Sequence, residues 1–194
     1  VFDLAPRSGF SGILNPGAFG KAGARGVAIS ERTGLSALAI LARQGAAAPL
    51  DSVVQAICGL SLPDKLRLTD DDRLTLLWAG PQQWLALSAD PALMEKIADS
   101  AAPFAALTDQ TGGRAVLRVS GPKAREVLRK GVTLDLHPNE FKTGDCAVTA
   151  VSHINALIWR SGEDSYDFAV ARSFSGSFWH WLSVSAAEFG GEVV

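Results

Sequence analysis

Few residues in this 194-residue chain are spaced for chemistry. His137, His153 and His180 form no pair at i, i+3 or i+4, so they supply no helical metal-ligand pair, and no metal is expected. Asp70, Asp71 and Asp72 run together before Arg73, but without the alternating oxygen ligands and central glycine of a calcium loop they read as a solvated turn. Ser120, Ser161 and Ser173 all lie outside Gly-x-Ser-x-Gly, which removes the hydrolase nucleophile elbow. Gly20-Lys21 is a fragment of a phosphate loop; Asn15 stands where that motif needs glycine, and Ala22 where it needs Ser or Thr. No glycine cluster has Gly-x-Gly-x-x-Gly spacing between a strand and a helix, so this chain is expected to hold neither flavin nor NAD. Cys58 and Cys146 each sit in an apolar segment without a second thiol or histidine nearby and read as buried free thiols.

Two groups of side chains suggest contact with a partner. Lys123, Arg125, Arg129 and Lys130 crowd one short helix, with Arg114 and Arg118 on the strand before it; they make either a docking patch for an acidic partner or a solvated face. After Arg172, Phe174, Phe178, Trp181 and Leu182 recur at helical spacing as a core stripe. Trp179 falls about 100° away from Phe178, which leaves it as an aromatic anchor for a neighbouring chain.

The elements that position these residues follow from pattern. Nearly half of the chain, 47%, is apolar, enough for a sizeable core, and the formal charge of −2 excludes an electrostatic footprint for nucleic acid or an anionic membrane. No apolar run approaches the roughly 20 residues of a bilayer span, and Val1-Phe-Asp-Leu-Ala-Pro-Arg7 lacks the charged-then-apolar order of a secretory signal. A cytoplasmic protein is expected.

Residues 1–34 hold Gly9, Gly12, Gly17, Gly20, Gly23, Gly26 and Gly34 with Pro6 and Pro16. That density predicts an extended arm outside the core, ordered against a neighbouring chain through side chains such as Phe2, Leu4, Phe10 and Phe19. From Leu35 the pattern predicts a strand to Ala42, a helix opening at Pro49 and ending at Gly59, and a hairpin of Leu74–Ala79 with Gln83–Ser88. A helix capped by Asp90 should run to Ala98, followed by a strand over Ala105–Thr108. The order then repeats: strand Ala115–Ser120, helix Pro122–Lys130, strands Ala147–Val151, Ala156–Arg160 and Tyr166–Val170, and a helix from about Phe174. Trp78 and Trp84 flank one Gly turn, Trp159 and Tyr166 another, as if copied. The reading is one α+β domain over residues 35–194, made of two fused ferredoxin-like β-α-β-β-α-β units, about 35–110 and 111–194.

The stretch Leu107-Thr-Asp-Gln-Thr111-Gly-Gly-Arg-Ala-Val-Leu-Arg-Val-Ser-Gly121-Pro122-Lys-Ala-Arg-Glu-Val-Leu128 resembles the turn, strand and Gly-Pro helix start of glycine-cleavage aminomethyltransferases, whose folate-binding domain the fold would share. Trp78-Ala-Gly-Pro-Gln-Gln-Trp84-Leu, Asp135-Leu-His-Pro with Phe141, and Arg172-Ser-Phe-Ser-Gly-Ser-Phe-Trp179-His-Trp181-Leu narrow the resemblance to the gamma subunit of heterotetrameric sarcosine oxidase, from about Glu31 to Glu188. The resemblance implies a complex that oxidises sarcosine to glycine and hydrogen peroxide and passes the one-carbon unit to tetrahydrofolate. It also implies alpha, beta and delta subunits as partners, with FAD, FMN, NAD, zinc and tetrahydrofolate held by those chains.

Asp135 sits where the aminomethyltransferases place an aspartate facing the reacting folate amine. A carboxylate there could stabilise a developing iminium. The other reading is a turn aspartate accepting backbone N–H bonds ahead of Pro138. No second acidic residue of a folate-clamping motif follows it, and the Lys-Gly-Cys-Tyr-x-Gly-Gln signature of folate-dependent iron–sulfur repair proteins is missing. The expectation is therefore an accessory, non-catalytic subunit with Asp135 as a vestige and with Phe10, Phe19, Trp179, Arg125 and Arg129 as partner contacts. The rival readings are a self-sufficient tetrahydrofolate-binding protein or aminomethyltransferase using Asp135, and a free-standing homodimeric scaffold.

Overall fold

The computed structural model of the protein describes residues 7–23 and 25–194. Residues 1–6 and 24 of the expected arm, Phe2 and Leu4 among them, lie outside the described residues. In chain order the elements are β1 (Gly17–Phe19), β2 (Val27–Glu31), β3 (Ser36–Ala42), α1 (Ala47–Cys58), β4 (Leu68–Asp70), β5 (Leu74–Gly80), β6 (Gln83–Ser88), α2 (Pro91–Ala101) and β7 (Ala105–Asp109). They continue with β8 (Arg114–Ser120), α3 (Ala124–Leu128), β9 (Cys146–Val151), β10 (Ile154–Gly162), β11 (Ser165–Ala171), α4 (Ser175–Ala187) and β12 (Gly191–Val193).

The helix ends follow local chemistry. The Asp90 carboxylate accepts hydrogen bonds from the N–H groups of Ala92 and Leu93 at 3.0 and 3.2 Å, and Pro91 opens α2. Gly59, at φ +78°, closes α1 in the left-handed conformation and returns its N–H to Gln55 O. α1 begins two residues before Pro49. α3 is shorter than the expected Pro122–Lys130: Pro122 stays in the turn, and Lys123 donates its N–H to Gly26 O at 3.0 Å instead of starting a helix. A Cβ on Gly121, at φ +114°, would meet Gly26 O at 2.7 Å, so glycine admits the incoming chain there.

The five-stranded sheet runs β4-β5-β6-β3-β7 and the seven-stranded sheet β1-β12-β2-β8-β11-β10-β9. In the first, β3-α1-β5-β6-α2-β7 has the ferredoxin-like strand order, with β4 added at one edge. The second sheet has the same plan in β8-α3-β10-β11-α4-β12, with one intrusion: β2 lies between β8 and β12, antiparallel to the first and parallel to the second. The protein is thus α+β with two sheets. The turn hairpins match closely, because Gly80 opposes Gln83 and Gly162 opposes Ser165, each after a register shift. Trp78 therefore corresponds to Arg160, one residue beyond the Trp159 of the sequence pairing.

Three apolar layers hold the molecule together. α1 and α2 cover one sheet through Leu50, Val54, Met94 and Ile97; α3 and α4 cover the other through Val127, Leu128, Phe178 and Leu182. The inner sheet faces meet through Leu77, Leu85, Leu87, Val116, Leu157 and Trp159. Burying such a side chain is worth about 1.5–3 kcal/mol, so each layer is a substantial contribution.

The arm expectation is corrected here. Phe10 is 1% exposed, Val27 1% and Ile29 0%, all in the core beneath α4, and β1 pairs with β12. Glycine and proline density argues against a segment ordering itself. It does not argue against a segment ordered by a sheet, where strands already in place supply the hydrogen bonds. Among the described residues no helix is long and apolar enough to cross a membrane.

Candidate functional site

Asp135 lies in the loop that carries the chain from α3 to β9. Leu136 and Phe141 pin that loop into the core at 1% and 7% exposure, while Asp135 itself is exposed. Its Oδ1 accepts the His137 N–H at 2.8 Å, and His137 O accepts the N–H groups of Glu140 and Phe141 at 2.9 Å. The carboxylate closes a turn that hands the chain to Pro138. It is exposed and lines none of the clefts described here.

The residues expected at a partner surface separate into three groups. Phe10 is a core residue, and its burial removes it from any contact surface. Phe19 and Trp179 are brought together, with ring centroids 5.6 Å apart at 75°, an edge-to-face pair. The Phe19 ring also lies on Gly191, where a Cβ would meet it at 2.2 Å. α4 turns Phe178 and Leu182 fully inward, so Trp179 is left half-buried on its flank, beside a shallow hollow formed with Ile13, Pro16 and Val193.

Arg125 and Arg129 lie on α3, half-buried and exposed respectively, and neither is in an ion pair among the described residues. Their neighbours are occupied. Lys130 Nζ reaches Glu188 at 2.6 Å, Ser185 O at 2.8 Å and the Phe189 ring, and Lys123 pairs with Glu126. Arg114 and Arg118 do not join this helix face. The odd-numbered residues Ala115, Leu117 and Val119 of β8 pack under α3, so pleating sends 114 and 118 to the opposite side, toward the other sheet.

On that inner side is a charge cluster that sequence reasoning missed. Arg118 and Asp167 oppose each other in the β8–β11 ladder, and Arg118 donates from Nε to Oδ1 and from a terminal nitrogen to Oδ2, both at 2.7 Å. The Asp167 side chain is 0% exposed, and its carboxylate holds the Arg118 guanidinium above its ordinary pKa. Arg32 approaches the same Oδ2 at 3.5 Å. A single aspartate inside the apolar run Tyr166–Val170 was the available signal for this pair.

Beside it, where the start of β3 parts from the start of β8, opens a cleft of about 560 Å³ lined by Arg7, Arg32, Arg114 and Arg172. A second cleft, about 320 Å³, continues along the inner faces past Arg114 to Leu41 and Val148. Both cysteines are buried and unpaired, and burial pushes the Cys146 thiol up to about 12.

Comparison with known proteins adds sequence and fold relationships to this geometry. A model of the sarcosine oxidase, gamma subunit family matches residues 43–188. The chain is 31% identical to sarcosine oxidase subunit gamma of Corynebacterium sp. (strain U-96) over 172 residues, 87% of this chain and 83% of that protein. It is 36% identical to the subunit of the same name from Corynebacterium sp. (strain P-1) over 126 residues, 61% and 60% of the two chains. Among solved structures, a chain of heterotetrameric sarcosine oxidase from Corynebacterium sp. U-96 superposes with a TM-score of 0.78 at 31% identity, covering 87% of each chain. The glycine cleavage system aminomethyltransferase T of Bartonella henselae superposes at 0.63 with 15% identity, over 88% of this chain and 48% of that one, a likeness of fold.

Proposed function

This chain belongs to the sarcosine oxidase gamma subunit family, and on that premise we propose that it is an accessory, non-catalytic subunit of a sarcosine oxidase complex. In this reading the complex works in the cytoplasm and converts sarcosine to glycine with hydrogen peroxide and methylene-tetrahydrofolate formation. Alpha, beta and delta subunits hold the FAD, FMN, NAD, zinc and tetrahydrofolate, and this chain contributes shape and contact. The observation that carries the reading is the position of Asp135: the carboxylate that the resemblance places opposite the reacting folate amine is exposed and engaged in its own turn. A carboxylate stabilises a developing charge best in a desolvated site, and Asp135 is exposed.

The contacts to the partners are assigned to the Phe19–Trp179 pair and to Arg125 and Arg129. The pair supplies an amphipathic aromatic surface, and the arginines supply charges that are in no ion pair among the described residues. Titration of the purified chain with a reduced folate, alongside co-purification from the native host, tests the proposal. Co-purification with flavin-bearing subunits and no folate binding by the isolated chain supports it. Saturable folate binding abolished by Asp135→Asn would instead make this chain a folate protein in its own right.

A further inference from the structure

The cleft between the starts of β3 and β8 has an unusual charge inventory. Arg7, Arg32, Arg114 and Arg172 line it, and among the described residues Glu31 is its only lining carboxylate. Glu31 is already engaged, accepting from Ser8 Oγ at 2.7 Å and from the Phe10 N–H at 3.0 Å. The carboxylate nearest Arg32 is Asp167, whose two oxygens already take both short hydrogen bonds from Arg118. Among the described residues, Arg7, Arg114 and Arg172 are in no ion pair. Arg114 Nε is also buried, with no hydrogen-bond partner among the described residues. Several like charges converge on one concavity in a chain of net charge −2, with one donor withdrawn from water and unused. Such a group destabilises the empty site and is satisfied when an acceptor arrives.

The rest of the lining decides what kind of acceptor. Leu35, Ala37, Leu87 and Val116 form an apolar floor continuous with the inter-sheet core, and the volume of about 560 Å³ is that of a small-molecule site. A bare inorganic anion would satisfy the guanidinium forks and leave that floor wet. A planar carboxylate on an apolar body satisfies both, because the arginine fork matches the carboxylate and the body covers the floor. We propose that this cleft binds a small organic dicarboxylate, with Arg114 and Arg172 as its principal charge partners. The site lies on the inner side of the seven-stranded sheet, away from the Phe19–Trp179 pair, and goes beyond the accessory role proposed above.

Calorimetric titration of the full chain with phthalate at low ionic strength tests this. The expected result is saturable binding that weakens as salt is added, with benzoate weaker and the neutral phthalamide not binding. Arg114→Gln should weaken phthalate by roughly tenfold or more, Arg114→Lys by less, and Lys96→Gln on α2 not at all. Should Arg114→Gln fail to fold, Arg172→Gln at an exposed position is expected to show the same loss. Absence of saturable phthalate binding, phosphate binding as tightly as phthalate, or unchanged affinity in the arginine variants would overturn the proposal.

Discussion

Arg118 and Asp167 face each other across β8 and β11 and are joined by two hydrogen bonds of 2.7 Å, with the carboxylate wholly out of water. The arrangement is asymmetric, since the Arg118 side chain keeps 36% of its surface. Removing the arginine leaves a buried charge with, among the described residues, only Arg32 at 3.5 Å, whereas removing the aspartate frees an arginine that can still reach solvent. Arg118→Met should therefore cost about 3 kcal/mol of stability, and Asp167→Leu distinctly less. Urea denaturation of the two variants checks the order, and equal losses would contradict it.

Phe10 belongs to the core under α4, although it comes from the glycine-rich segment. Phe10→Ala should lose about 3–5 kcal/mol, the cost of an aromatic cavity in a packed core. A loss under about 1 kcal/mol in chemical denaturation would mean that the segment lies loosely on the surface after all.

The Asp135 turn predicts a small effect in a conspicuous place. Asp135→Asn keeps an acceptor for the His137 N–H, so stability should fall by no more than about 1 kcal/mol, and sarcosine turnover of the assembled complex should stay near wild type. A hundredfold fall in turnover with normal assembly would be the signature of a working carboxylate.

Burial raises the Cys146 thiol from an ordinary 9.0 to about 12. The unfolded chain then releases this proton first, so its contribution is level below about pH 9 and is progressively lost as pH rises toward 12. Relative to Cys146→Ala, the wild-type chain should lose roughly 1 kcal/mol per pH unit above 9, read from denaturation curves across that range. The same burial should keep Cys146 unreactive to alkylating agents at pH 8 until the protein is unfolded.

If the edge-to-face pair of Phe19 and Trp179 meets a partner subunit, Trp179→Ala should weaken association by about tenfold or more while the chain remains folded, since Phe178 and Leu182 carry the helix core. Surface-immobilised binding to the partner subunits measures it. Unchanged association would move the contact elsewhere.

Local signals alone determined much of this protein. The Asp90-Pro91 cap, the Gly59 stop, the Gly80-Pro81 hairpin and the apolar strand runs such as β5, β6 and β11 each depend on chemistry within a few residues, so pattern could place them. The family, too, was legible in the Trp78–Trp84 and Asp135–Phe141 stretches. What pattern could not carry was pairing at long range. β2 is inserted between β8 and β12, which lie far along the chain, and the hydrogen bonds that order Val27–Glu31 come from those strands and not from its own glycine-rich neighbourhood. The side of the sheet on which Arg114 and Arg118 appear was equally hidden, because pleating assigns faces only once the helix side is known. A buried pair such as Arg118–Asp167, 49 residues apart, exists only when two strands align in register, and that alignment is a property of the assembled sheet.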